Sequence, residues 1–230
     1  MLKKLAIAGA LLATFAGAHA QSAPFGVSGT VSPGPCNVVL TGGGIVDTGT
    51  VTLATAKTYR QVTNTTTAVA LYGFPDRTIP ITITCSAPTK VAVSFVDNKP
   101  AQRFSFNSGD GALYGLSDGL TGTAAIGFYS VAFNAITMDN TPVGQFLTAA
   151  NGLTTTFSTT QPASLGVGPN SAVPGRTTGF AKTAGAAAPE SFLSLTGGLT
   201  IQTYVSRDFI DKATNTVTPS GSGTLTLVYL

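Results

Sequence analysis

Only 9% of the 230 residues are charged, against about 25% in ordinary soluble domains, so the surface must be built from Thr, Ser, Asn, Gln and Gly. The formal charge of +3 includes Lys3 and Lys4 of an N-terminal export signal; without them it is +1, which is no electrostatic footprint for nucleic acid or an anionic membrane. The one histidine, His19, lies in that same segment and there is no tryptophan; the rest of the chain therefore offers no Ser-His-Asp or Cys-His arrangement and no histidine-rich metal site.

Residues 1–20 read as the signal. Lys3 and Lys4 form the positive region, Leu5 to Ala16 the apolar run, and Ala18-His19-Ala20 the small-x-small cleavage pattern, which places the first residue of the exported protein at Gln21. Removing 20 of 230 residues leaves 210, enough for a single β domain over 21–230. Hydrophobic content of 43% with a positive mean hydropathy can supply its core. No apolar run is long enough for a membrane-spanning helix.

The dominant period after Gln21 is two. Phe25, Val27 and Val31 alternate with small or polar residues, Val51 and Leu53 with threonines, and Ile79, Ile81 and Ile83 with Pro80, Thr82 and Thr84. Val91, Val93 and Phe95 follow a turn at 86–89, and further strands are expected over 126–133, 193–205 and 224–230. Pro80 lacks an N–H and is expected away from a central ladder, in a hairpin over 79–96. The stretch 139–190 is rich in Thr, Ala, Gly, Ser and Pro, and reads as a loop-rich insertion around one or two weak strands. The fold class is all-β, a sandwich with long loops.

Cys36 and Cys85 are the two cysteines of an exported chain, and both lie in strand-like segments. They read as one disulfide between two strands, the alternative being two buried thiols. Closing a loop of about 50 residues is worth roughly 4 kcal/mol.

Signals for catalysis are sparse. Gly115-Leu116-Ser117-Asp118-Gly119 fits the GxSxG elbow pattern but lacks the histidine base and the following helix, so an ordinary turn is expected. Gly42-Gly43-Gly44 lacks the third spaced glycine and the helix of a dinucleotide turn. Asp110 and Asp118 bracket a glycine-rich stretch without calcium-loop spacing, and read as a solvated turn. Asp76-Arg77 and Arg207-Asp208 read as surface charges. No enzyme activity, cofactor or metal is expected.

The export signal, the alternating strands and the cysteine placement together resemble the fimbrial subunits of the bacterial chaperone–usher pathway, and most nearly an uncharacterised fimbrial-like family of secreted proteobacterial proteins. Three segments carry the resemblance: Val27 to Cys36, similar to a V-x-G-x-I-x-P-x-x-C first strand with Val31 for isoleucine; Ile79 to Cys85, similar to the second cysteine strand; and Thr224 to Leu230, similar to the terminal strand with its penultimate tyrosine. The resemblance implies an immunoglobulin-like, pilin-type sandwich that lacks its last strand and is completed by a strand from a partner. The partners it implies are a periplasmic chaperone, an outer-membrane usher and other fimbrial subunits, with a host or other surface ligand for an adhesive role; nucleic acid is not among them. The implied location is the periplasm and then the cell surface. It also implies a donor strand around Ala23, Phe25 and Val27, and a chaperone-contacting strand through Leu225, Leu227 and Tyr229. The extension before the first strand, Gln21 to Gly26, is short, and Val217 stands where major pilins carry a glycine; both departures point to a minor or tip subunit, or to a relative that does not polymerise. A second reading is a secreted, self-complete sandwich that binds carbohydrate or protein through the 139–190 loops, with Tyr59, Tyr72, Tyr114, Tyr129 and Phe157 as stacking rings.

Overall fold

A computed structural model describes residues 35–45, 51–64, 69–104, 113–119, 124–150, 155–159, 172–214 and 216–230. The expected export signal, the first strand expected at Val27–Val31, the expected donor residues Ala23, Phe25 and Val27, and Asp110 lie outside them.

In chain order the strands are β1 (Cys36–Leu40), β2 (Arg60–Asn64), β3 (Val69–Gly73), β4 (Arg77–Thr89), β5 (Val91–Asp97), β6 (Tyr114–Ser117), β7 (Ala125–Met138), β8 (Thr141–Pro142), β9 (Gln145–Ala150), β10 (Arg176–Ala181), β11 (Phe192–Ser206), β12 (Ser220–Gly221) and β13 (Gly223–Tyr229). Two short helices interrupt them, α1 (Leu53–Ala56) and α2 (Arg207–Lys212). One sheet runs β1-β4-β11-β7-β6-β12, with β3 and then β2 beside β11 and β8 beside β7; the other runs β13-β5-β10-β9. The strand pairings are antiparallel, and the two sheets pack face to face as a β-sandwich.

The period-two pattern sets the core. Ile79, Ile81, Ile83 and Cys85 of β4 are buried while Thr78, Pro80, Thr82 and Thr84 face out. Leu195, Leu199 and Ile201 of β11 and Val131 and Phe133 of β7 join them from the larger sheet, and Val91, Val93, Phe95 and Phe180 from the smaller one. Phe133 is the point of closest aromatic contact between sheets. Its ring centroid lies 5.7 Å from Phe95 of β5, 5.7 Å from Phe146 of β9 and 5.2 Å from Phe180 of β10. The contacts with Phe95 and Phe180 are edge-on and that with Phe146 is stacked; aromatic pairs of either kind add about 0.5–1.5 kcal/mol each beyond area burial. On the outer face, threonine hydroxyls pair across strands, Thr78 with Thr200 and Thr137 with Thr196, both at 2.9 Å.

Cys36 and Cys85 form the expected disulfide between adjacent strands. The bond from Ser86 N to Pro35 O puts the hydrogen-bonded pairs at odd residues of β1, so Cys36↔Cys85 is a non-hydrogen-bonded pair, where side chains of facing strands come closest.

Several local expectations change. Residues 79–96 are not a hairpin: β4 and β5 are separated by Lys90 alone and belong to different sheets. Strand β4 runs on through 86–89, where a turn was expected, because Thr89 still pairs with Phe192. Pro80 lies in a strand with neighbours on both sides, but one step past the last β1 pair, Leu40↔Ile81, so its missing N–H interrupts no β1 pairing. Val51 and Leu53 do not start a strand. The Thr52 side chain accepts from Thr55 N and caps α1 instead. Ser206 caps α2 in the same way, through Phe209 N. Within 139–190 the two strands β9 and β10 are not weak: they make half of the smaller sheet, and Thr177, Thr178, Phe180 and Ala181 of β10 are fully buried, while 151–154 and 160–171 lie outside the described residues.

Strands β7 and β8 are joined by a two-residue turn, Asp139-Asn140, with φ of 48° and 63°. Asn and Asp tolerate this left-handed conformation best among residues with a side chain. Asp139 then clips the turn to its surroundings: Oδ1 accepts from Leu193 N and Ser194 N at 2.9 Å, and Oδ2 pairs with Lys182 at 2.9 Å. Partial desolvation pulls this carboxyl upward, but the donors from Ser194, Lys182 and Leu193 outweigh it and hold it below the ordinary carboxylate value.

Two outcomes are expected. Replacing both cysteines (Cys36→Ala with Cys85→Ala) lowers the unfolding free energy by about 2–4 kcal/mol in urea titrations, and an unchanged midpoint would show that the bridge does not restrain the unfolded chain. The contribution of Asp139 is complete above its unfolded value of 3.8 and is lost as pH falls through its lower folded value. Asp139→Asn is therefore less stable than wild type at neutral pH, and in acid-unfolding curves the gap closes as pH falls through the lowered folded value.

Candidate functional site

The candidate site is an apolar groove of about 390 Å³ that crosses the larger sheet from β1 to β12 and is bordered by β13, the edge strand of the smaller sheet. The larger sheet contributes Leu40, Ile79, Tyr129, Val131, Leu199 and Ile201; the smaller contributes Phe95 and Leu225. Ile45, 78% exposed, stands at the mouth just after β1.

The backbone of β13 explains why this side stays open. Asn98 N donates to Ser222 O and Leu230 N to Lys90 O. These bonds fix the hydrogen-bonded pairs with β5 at even-numbered residues of β13, so the N–H and C=O groups of Gly223, Leu225, Leu227 and Tyr229 point away from β5. Among the described residues β13 has no strand on that side. The side chains of Leu225 and Leu227 are half-buried against the core. The residues that turn apolar side chains inward, Leu225 onto the groove and Leu227 onto the core, are thus the same ones that turn backbone groups toward the open edge. β1 repeats the arrangement: Cys36, Val38 and Leu40 pack on the core, while the Cys36 and Val38 backbone groups point away from β4.

The two edges meet at one end. Tyr229, 40% exposed, accepts a hydrogen bond at its hydroxyl from Cys36 N, 2.8 Å away. Near the other end a polar cluster ties the sheets together. Lys99 Nζ donates to Ser117 Oγ, Ser220 O and Ser220 Oγ at 3.1, 3.3 and 2.9 Å. Buried Asp97 accepts from Lys99 N and Gly115 N at 2.9 Å and pairs with Arg103 at 3.4 Å. A side chain on Gly115 would put its Cβ 1.9 Å from Lys99 O, so only glycine permits this approach. Beneath the cluster the rings of Tyr114 and Tyr129 stack at 4.8 Å, and Tyr114 donates to Ala172 O at 3.0 Å. Burial, above all, pushes both phenols well above their ordinary value, with Asp97 adding to the rise.

Of the residues singled out in the sequence, the structure brings Cys36, Cys85, Leu225, Leu227 and Tyr229 to this side of the sandwich. Ser117 is fully buried and donates its hydroxyl to Ser220 O at 3.1 Å; it ends a strand and precedes no helix. Gly42, Gly43 and Gly44 form a left-handed turn with φ of 68–75°. Asp118 is buried, and no cluster of three metal-ligating groups occurs among the described residues. Asp76 accepts from Gln202, and Asp208 and Asp211 pair with Lys212 and Arg207 along exposed α2. The supposed stacking rings make no exposed platform. Tyr72, Tyr114 and Tyr129 are buried, and Tyr59 lies edge-on to Phe74 at 5.2 Å. Lys99, Asp97 and the Tyr229–Cys36 bond were not foreseen; only the Lys99–Ser117–Ser220 hydroxyl cluster left a trace, in the serine of the GxSxG pattern.

The family model described as "Protein of unknown function (DUF1120)" matches residues 25–114, less than half of the chain. That span contains β1 and its disulfide partner but not β13. No curated protein and no solved structure matches the chain.

Raised tyrosine values carry a pH dependence. Stability is complete below the unfolded value of 10 and falls as pH rises above it, because the unfolded chain releases these protons first. In an alkaline titration, Tyr114 and Tyr129 should ionise only together with loss of the far-ultraviolet circular dichroism signal. A Tyr114→Phe, Tyr129→Phe variant should lose absorbance change from that step alone.

Proposed function

We propose that this protein is a structural or adhesive subunit of a cell-surface fimbria, exported through its N-terminal signal and assembled by donor-strand complementation. The observation that carries the reading is the β13 edge, where Leu225 and Leu227 turn apolar side chains inward, onto the groove and the core, and turn backbone groups outward to a side on which the described residues place no strand. A strand with alternating apolar residues satisfies both at once, which is how β-augmentation combines affinity with specificity. A periplasmic chaperone, with an outer-membrane usher, fills this role during export, and the extension of another subunit fills it in the fibre. The segment around Ala23, Phe25 and Val27 has the matching alternation. The role requires no catalysis, in keeping with the enclosed Ser117.

A synthetic peptide of residues 21–32 tests the reading. At about 100 times its Kd it should stabilise the purified oxidised chain by about 2.7 kcal/mol, a rise in Tm of roughly 5–10 °C for a domain of this size. The same peptide with Phe25→Asp should give no shift, and Leu227→Asp in the chain should abolish the shift because it sets a charge against apolar surface. A chain that stays monomeric at all concentrations and ignores the peptide is a self-complete sandwich, and the binding-protein reading then replaces this one.

A further inference from the structure

We propose that Tyr229 is a latch on the groove, regulating the addition of a strand by holding edge β1 to edge β13. This rests on the donor-strand reading above and adds a step to it. The Cys36 N–H points away from β4, into the space a new strand along β13 must occupy, and it is taken by the Tyr229 hydroxyl at 2.8 Å. The tyrosine stands on the same side of β13 as Leu225 and Leu227, and its own backbone groups face the open edge. Its side chain therefore joins edge β13 to edge β1 beside the Cys36–Cys85 bridge. At the opposite end no bond joins β1 to β13 among the described residues: Leu40, Ile45 and Gly223 line the groove there, and Ile45 is largely exposed.

Two consequences follow from this geometry. A strand can pair with β13 from Gly223 to Leu227 while the latch is closed, but not past Tyr229. Extension over the last pair requires the hydroxyl to leave the Cys36 N–H, which must then be satisfied by the incoming backbone. The disulfide fixes Cys36 to β4, so the moving partner is the tyrosine side chain and not β1. The latch thus slows completion of strand addition, and in the unoccupied subunit it keeps the two sheet edges together.

Tyr229→Phe keeps the ring and removes the bond. Two measurements on the full oxidised chain read the result. Amide hydrogen exchange at Cys36 should quicken about five-fold or more in the variant, as expected for loss of one net hydrogen bond. Association of a fluorescein-labelled peptide of residues 21–32, followed by stopped-flow anisotropy, should quicken about five-fold in the variant. Unchanged Cys36 exchange, or equal association rates for wild type and variant, overturns the latch while leaving strand docking intact. A peptide that binds neither protein overturns the docking reading, and the regulatory role of the latch with it. Tyr229→Leu, which removes the ring as well, should match the Phe variant in Cys36 exchange; faster exchange than in Tyr229→Phe would assign the protection to the ring and reject the hydroxyl.

Discussion

Phe133 holds the sandwich shut. It reaches from the larger sheet into Phe95, Phe146 and Phe180 of the smaller one, and these rings come from three different strands. Among the described residues the backbone ladders of the smaller sheet join its strands only to one another, so its attachment to the larger sheet depends on buried side chains, on the chain crossings at Lys90 and Ser222 and on a few polar ties. Close packing around Phe133 fixes the separation of the sheets. Two residues away along β7, Val131 already faces the groove, so the same strand that clamps the sheets also floors the open side.

The open side is bordered by two edges of different strength. β1 is held covalently to β4 and cannot peel away without breaking the bridge. β13 is held by its ladder to β5, by Leu225 and Leu227, and by the hydroxyl contact of Tyr229. Exposed edges invite uncontrolled pairing. A chain with few charges has little electrostatic repulsion to prevent it, and in the proposed fimbrial role a chaperone supplies that protection.

Much of the fold was legible because burial and period coincide. The isoleucines of β4 and the apolar residues of β11 and β13 alternate as strands do, and a sequence with two cysteines leaves little choice of partner. Other parts were hidden for physical reasons. β10 is buried through Thr177 and Thr178, residues that count as polar in any pattern, so a central strand resembled a loop. Val51 and Leu53 satisfy a period of two over three residues, too few to compete with a threonine cap that starts a helical turn. Alternation says that β4 and β5 are strands but not that they lie in different sheets, since both would read the same either way. At the site, Leu225 and Leu227 were visible as an apolar row. The role of Tyr229 was not, because its partner lies 193 residues away and is a backbone N–H, which every sequence position but proline possesses.

In an antiparallel strand, side-chain direction and hydrogen-bonding direction both repeat every two residues. On β13 the two repeats are in phase: odd positions look inward and bond outward. Deleting a single residue between Ser222 and Leu225 would invert both together, turning the leucines to solvent and aiming their amides at β5. Insertions and deletions in this strand are consequently tolerable only in even numbers. The length of the terminal segment is therefore a quantised property, under far tighter restriction than its residue composition.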